Sequence, residues 1–347
     1  MEYRVLGGTG IRVSTHCLGT MMFGSWGNSD VDECVRVVHS ALDAGVNFVD
    51  TADVYSAGGS EEIVGKAIAG RRDEIVLATK FHNPMGEGRN ERGNSRLWIM
   101  RAVEASLRRL GTDHIDLYQV HRPEAETDID ETLSALTDLQ RAGTIRAFGS
   151  STFHGWQVVE AQCAAERRGL ERFRTEQPPY SILTRHIEHD VLPAALSYQM
   201  GVLVWSPLAR GWLTGRYRRG SFDRSPESRA TRAKGGPIAA LFDEERSETQ
   251  AKLDAVERLA SIADEAGISM AHMAVAFTLA HPGVTSAIVG PRKPEQVDDL
   301  LAGADVRLDD STLDAIDAVV PPGITIDQAD RGFSPWWLEP SSRRRSL

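Results

Sequence analysis

Four residues in the chain are of types that together could move a proton onto a carbonyl oxygen. Asp50 ends one β-type run, Tyr55 follows it, Lys80 comes just after the next run, and His121 just after the one beyond. A tyrosine titrates at about pH 10 in isolation, so it is a reluctant acid unless a nearby cation stabilises the phenolate left behind. Lys80 would supply that cation, and Asp50 the anion without which burying an ammonium is costly. His121 can then donate an N–H to the substrate oxygen and stabilise the developing alkoxide. Taken singly, each residue has a plainer use: Asp50 with Thr51 as a helix cap, Tyr55 as a loop aromatic, Lys80 as a solvated strand end, His121 as a hydrogen-bonded core residue. A metal site is the rival use of Asp and His. No second His stands at ligand spacing near His121, however, and a lysine in the cluster disfavours a divalent cation.

What could bring these residues together is an alternation of short β-type runs with amphipathic helical stretches. The runs are Cys17 to Met21, Val46 to Asp50, Ile75 to Thr79, Ile115 to Val120, Ile145 to Gly149, Phe173 to Glu176, Gly201 to Trp205 and Val284 to Val289. Helices are expected near 31–44, 60–69, 95–109, 130–142, 155–169, 186–199, 250–266 and 294–302. Successive βα units without a strong break fit a closed α/β (β/α)8 TIM barrel over 1–325 better than an open doubly wound sheet. In such a barrel, strand ends about 4.8 Å apart can converge on one small volume. Gly7-Gly8-Thr9-Gly10 precedes the first barrel strand and reads as the turn of an N-terminal β-hairpin that closes the floor, not as a dinucleotide fingerprint.

Two connections are long, 81–95 and 216–248, and both follow expected strands, so they should overhang the active-site end. Arg216, Arg218, Arg219, Arg224, Arg229 and Arg232 in the second should repel one another when no anion is bound. Past an extra C-terminal helix, 326–347 reads as a tail. Phe333, Trp336 and Trp337 are expected to cover the barrel mouth or meet a neighbour, as in a homo-oligomer, and the final basic residues to be mobile.

Composition narrows the function classes. Charged residues make up 25% and hydrophobic residues 41%, so a large buried core is expected. A net charge of -10 argues against a nucleic-acid partner. No apolar stretch is long enough for a membrane span or a secretory signal, so a cytoplasmic location is expected. Cys17, Cys34 and Cys163 lack paired spacing and read as small buried apolar residues.

Several stretches resemble the aldo-keto reductase superfamily: Gly45 to Tyr55, Ser60-Glu61-Glu62, Ala78-Thr79-Lys80 and Asp116 to Pro123. The resemblance implies a tetrad of Asp50, Tyr55, Lys80 and His121 and a nicotinamide cofactor bound without the usual fingerprint. It implies nicotinamide contacts from Ser151, Thr152 and Gln177, with Thr152 standing where the family usually has Asn. Trp205, Ser206, Pro207, Leu208 and Gly211 would stack on the nicotinamide and follow the pyrophosphate; Gly19, Thr20 and Met21 join the cofactor set. Gly290, Arg292, Gln296 and Asp299 match the final cofactor segment, where Arg292 beside Lys293 favours the 2'-phosphate of NADPH over NAD. Leu300 replaces another common Asn.

The activity implied is reduction of an aldehyde or ketone, with the substrate chosen by loop 23–29, by residues 81–95 and by the tail. A nucleotide-linked keto-deoxysugar, including its 2,3-enoyl form, is the rival substrate. The superfamily also holds barrels that act as partners of membrane channels, so a non-catalytic NADPH-sensing regulatory subunit is the reading from another class.

Overall fold

Two short strands open the chain, β1 (Tyr3–Val5) and β2 (Arg12–Ser14), paired antiparallel with Tyr3 opposite Ser14. The turn between them carries Gly7 at φ 51°, and a Cβ there would lie 1.9 Å from the Arg174 carbonyl oxygen, so only glycine fits. Arg174 precedes a barrel strand at its N-terminal end, and Leu6 and Val13 join the barrel's apolar cluster of Cys17, Phe48, Val76, Ala78, Leu117, Ala147 and Leu203. The hairpin thus closes the floor of the barrel.

The barrel strands are β3 (His16–Gly19), β4 (Phe48–Asp50), β5 (Val76–Phe81), β6 (Ile115–Val120), β7 (Ile145–Ser151), β8 (Thr175–Gln177) and β9 (Gly201–Trp205). After the short antiparallel pair β10 (Tyr217–Arg218) and β11 (Ser221–Phe222), β12 (Val284–Val289) closes the ring between β9 and β3. All eight barrel pairings are parallel, as in a (β/α)8 TIM barrel. The helices are α1 (Val31–Asp43), α2 (Gly59–Ile68), α3 (Arg96–Leu110), α4 (Ile129–Arg141), α5 (Gly155–Arg168), α6 (Val191–Ser197), α7 (Arg229–Arg232), α8 (Gly236–Ala240), α9 (Ser247–Glu265), α10 (Met270–Ala280), α11 (Pro294–Ala302), α12 (Asp310–Val319) and α13 (Pro340–Arg343). Local chemistry starts several of them: Asp30 accepts from the Glu33 N–H at 2.9 Å ahead of α1, and Ser95 from the Trp98 N–H at 3.3 Å ahead of α3.

This computed structural model describes residues 1–233 and 236–344. Contacts divide the chain into two units. The first holds Met1–Pro178, His189–Trp205 and Thr278–Arg307, with every barrel strand; the second holds Pro179–Glu188, Ser206–Phe277 and the chain from Leu308 onward.

The structure corrects several expectations. The helix expected over 186–199 is a single 3-10 turn, His186–Glu188, followed by the shorter α6, because Asp190 at φ -140° interrupts the helical backbone and caps Val191 instead. Helix α10 was not foreseen. The arginines of 216–248 do not stand unpaired: Arg218 meets Glu257 at 2.5 Å, Arg219 meets Asp254 at 2.5 Å, and Arg224 pairs with Glu244. Two of these partners lie on α9, whose acidic residues supply the anion that the sequence pattern did not assign. Cys163 is exposed, unlike Cys17 and Cys34, because it lies on the outer face of α5. In the second unit Phe333, Trp336 and Trp337 pack on one another and are half-buried, with 4.6 Å between the two indoles. The last basic cluster reaches past the described residues at Arg345. No helix among the described residues is long and apolar enough to cross a membrane.

Candidate active site

Strand alternation turns Asp50, Lys80, Gln119 and His121 toward one another at the C-terminal ends of β4, β5 and β6, with Lys80 directly opposite Gln119 in register. Lys80 is fully buried. Its three N–H donors find three acceptors: Asp50 Oδ1 at 2.5 Å, the Thr51 carbonyl at 2.8 Å and the Tyr55 hydroxyl at 3.5 Å. Burial opposes the ammonium, but the Asp50 carboxylate and the Tyr55 oxygen outweigh it and hold Lys80 above the ordinary lysine value. The second Asp50 oxygen accepts from Gln177 Nε2 at 2.8 Å and Gln119 Nε2 at 3.2 Å. Gln119 was missed from sequence, although its signal was present: it lies two residues before His121 and so on the same strand face.

Tyr55 is placed by a loop that continues the β4 pairing beyond the strand. Thr51 N–H donates to Ala78 at 2.9 Å and Asp53 N–H to Lys80 at 3.2 Å. After Tyr55 the chain turns through Ser56 at φ 51° and Ala57 at φ 54°, a left-handed path that costs non-glycine residues about 1 kcal/mol or more each. The Ser56 hydroxyl holds this turn to the loop before α1, donating to the Phe23 carbonyl at 2.7 Å and accepting from Trp26 N–H at 3.2 Å. The Trp26 ring lies 6.0 Å from that of Tyr55, and His121 stands edge-on to Tyr55 at 5.9 Å. Burial raises the Tyr55 phenol, Lys80 pulls it down, Asp50 raises it again, and the net shift is upward, so Tyr55 is protonated at neutrality. Burial, then the positive Arg122 and Lys80, push His121 well below the usual imidazole value. It is a neutral ring.

The expected cofactor residues of the first unit cluster at the ends of neighbouring strands. Ser151 Oγ donates to the Gln177 carbonyl at 2.8 Å, and Arg122 donates to the Thr152 hydroxyl at 3.0 Å. Trp205, half-buried, pairs in register with Ile288 of β12. Gly19 and Met21 flank Thr20, whose buried hydroxyl is already engaged with the Asp50 carbonyl at 3.1 Å and with Ser60 at 2.9 Å. Gly290 and Arg292 run from β12 to the start of α11, where the Gln296 side chain accepts from Arg292 N–H at 2.7 Å; Asp299 lies exposed further along that helix. Asn28 ties this segment to the Trp26 loop by donating to the Arg292 carbonyl at 2.8 Å. Ser206, Pro207, Leu208 and Gly211 belong to the second unit, in a bend where Ser206, Ala209, Arg210 and Gly211 all have positive φ.

Two buried acids went unnoticed in the sequence. Asp53 has no well-formed hydrogen bond to either carboxylate oxygen among the described residues, and burial, then repulsion from Glu61, push it up to about 8. Glu176, beside Gln177, accepts from Ser150 Oγ at 2.5 Å and Phe153 N–H at 3.1 Å, yet burial raises it too to about 8. Among the described residues no cluster of His, Cys, Asp and Glu could hold a metal ion.

Comparison with known proteins agrees with this architecture. Residues 17–321 match the model of the Aldo/keto reductase family. The chain is 39% identical to the uncharacterized oxidoreductase YrpG of Bacillus subtilis, over 93% of this chain and 97% of that one. It is 36% identical to a probable voltage-gated potassium channel subunit beta of Arabidopsis thaliana, over 92% and 97%. It is 33% identical to the versiconal hemiacetal acetate reductase of Aspergillus parasiticus, over 89% and 94%. With the family model covering most of a closed eight-stranded parallel barrel, the chain belongs to the aldo/keto reductase family and has the fold of an oxidoreductase of that family.

Proposed function

We propose that the protein is an NADPH-dependent reductase that turns a small aldehyde or ketone into its alcohol in the cytoplasm, with Tyr55 as general acid. The observation that carries the reading is the Lys80 ammonium, bonded to Asp50 at 2.5 Å and 3.5 Å from the Tyr55 hydroxyl. Ser151, Thr152, Gln177 and Trp205 would hold the nicotinamide end of the cofactor. Ser206, Pro207, Leu208 and Gly211 would follow the pyrophosphate, while Gly19, Thr20, Met21, Gly290, Arg292, Gln296 and Asp299 would complete the set. The donor chemistry fits: Arg292 and Lys293 immediately precede α11, where the two cations and the positive end of the helix dipole both favour a phosphate. When bound, a reduced nicotinamide supplies the hydride that adds to the carbonyl carbon.

The side chains then have distinct tasks. Neutral His121 donates its N–H to the carbonyl oxygen and orients it. Tyr55 gives its proton to that oxygen as the C=O becomes C–OH, leaving a phenolate. Lys80 stabilises this phenolate, and Asp50, held by Gln119 and Gln177, keeps Lys80 charged and aimed.

The test is NADPH oxidation with a panel of small aldehydes such as 4-nitrobenzaldehyde, wild type beside Tyr55→Phe. We expect kcat to fall about 10²- to 10⁴-fold in the variant with NADPH binding retained. If both proteins bind NADPH and neither turns over, the carbonyl-reductase reading fails. An NADPH-sensing regulatory subunit then takes its place, a reading favoured by the 36% identity to a relative described as a channel subunit. A nucleotide-linked keto-deoxysugar is the less supported substrate, since Arg218, Arg219 and Arg224, which would suit its diphosphate, are engaged by acidic side chains.

A further inference from the structure

A neutral histidine has one ring N–H, so His121 can donate to a substrate oxygen from Nε2 only if Nδ1 is bare. Which nitrogen carries the proton depends on what the other one meets. Asn83 Nδ2 lies 3.0 Å from His121 Nδ1. An amide nitrogen donates and never accepts, so a bond there needs the Nδ1 lone pair. We propose that Asn83 is a positioning residue that fixes His121 as the Nε2–H tautomer, leaving its single ring proton for the carbonyl oxygen. The proposal rests on the reductase reading for its consequence, but not for its structural content.

The surroundings are built to hold Asn83 there. His82, just before it, has φ 133°, a conformation disfavoured for any residue but glycine and kept only where neighbours enforce it. Pro84, just after it, restricts the Asn83 backbone to extended conformations. Asn94 supplies the enforcement. Its Oδ1 accepts from His82 Nδ1 at 2.9 Å, while Gly93 N–H donates to the His82 carbonyl at 2.7 Å. The same Asn94 donates through Nδ2 to the Arg122 carbonyl at 3.1 Å, and its own carbonyl accepts from Thr132 at 3.0 Å. One buried amide therefore pins both the turn that carries Asn83 and the segment that carries His121. His121 is fixed at its backbone too, its N–H donating to the Phe81 carbonyl at 2.9 Å. Burial and the facing cations Arg122 and Lys80 keep a second proton off the ring, so the tautomer is the remaining variable.

Replacing the donor by an acceptor reverses the choice. In Asn83→Asp the carboxylate can only accept, which draws a proton to Nδ1 and turns the Nε2 lone pair, or a full imidazolium, toward the substrate. The experiment is nitrogen-15 NMR of the full-length protein labelled at histidine, with the His121 signals assigned by their loss in His121→Gln. We expect the Nε2–H pattern in the wild type and its loss in Asn83→Asp. With that loss, kcat/KM for the aldehyde falls about ten- to hundredfold, and NADPH affinity is unchanged. A wild-type His121 protonated at Nδ1, or an Nε2–H pattern that survives Asn83→Asp, overturns the proposal. The wild-type tautomer, once His121 is assigned, is read without turnover, so failure of the reductase reading would be seen separately.

Discussion

Thr152 occupies a backbone conformation that its own side chain opposes. Its φ is 62°, in the left-handed region, where a β-branched residue is strained and asparagine is comparatively at ease. The position is held by Thr152 N–H donating to the Gln177 carbonyl at 3.2 Å and by Arg122 donating to its hydroxyl at 3.0 Å. An asparagine oxygen could accept the same Arg122 bond. Thr152→Asn is therefore expected to raise stability by about 1 kcal/mol, read as a higher urea midpoint at an unchanged slope. A lower midpoint would mean that the threonine hydroxyl matters more than the strain. The departure from the family's usual residue was legible in the sequence, but its physical meaning needed the dihedral. Asp50, Tyr55, Lys80 and His121 could be picked out because each falls at or just after the end of a β-type run. Gln119, two residues before His121 on the same strand face, carried the same signal; Asn83 did not, because an asparagine before a proline reads as ordinary until the structure shows what it faces.

At the scale of elements, α11 offers the sharpest test of the cofactor. Pro294 opens the helix, Lys293 sits at its N-cap without a side-chain cap bond, and Arg292 precedes both, so a phosphate placed there meets two cations and the positive end of the helix dipole together. Arg292→Ala is expected to weaken NADPH binding by about ten- to hundredfold and leave NADH nearly unchanged, as measured by fluorescence titration. Equal losses for the two cofactors would remove Arg292 from 2'-phosphate recognition. The eight barrel strands and most helices were legible because each strand is a short β-type run and each helix shows one apolar stripe. Helix α10 was not: its sequence Met-Ala-His-Met-Ala-Val-Ala-Phe-Thr-Leu-Ala is apolar almost all round, so it lacks the period by which a helix is read. The arginine-rich connection failed for a different reason. Local charge counting cannot see that Glu257 and Asp254, more than thirty residues along the chain, lie against it.

Across the whole molecule, buried acids and buried histidines set opposite slopes of stability against pH. Asp53 and Glu176 titrate at about 8 in the folded chain, far above an ordinary carboxyl. Between about pH 4 and that value the folded state keeps protons that the unfolded chain has released, so stability falls as pH rises. His16, pushed down to about 4, and His82 and His121, also lowered, act the other way. The unfolded chain binds their protons first, so they cost stability as pH falls below about 6.5 and have no effect above it. The exposed carboxylates that are lowered, such as Glu74, Asp113 and Asp309, change only in the acid range. From about pH 6.5 to 8 the two buried acids therefore act with little opposition, each worth at most about 2 kcal/mol over that interval. The guanidinium midpoint of the wild type should be highest near pH 6.5 and fall toward pH 8. In Asp53→Asn, which keeps the shape and removes the acid, the fall should shrink by about half. An undiminished fall in that variant would mean that Asp53 is ionised without penalty, and that the Glu176 site alone, or neither, carries the slope.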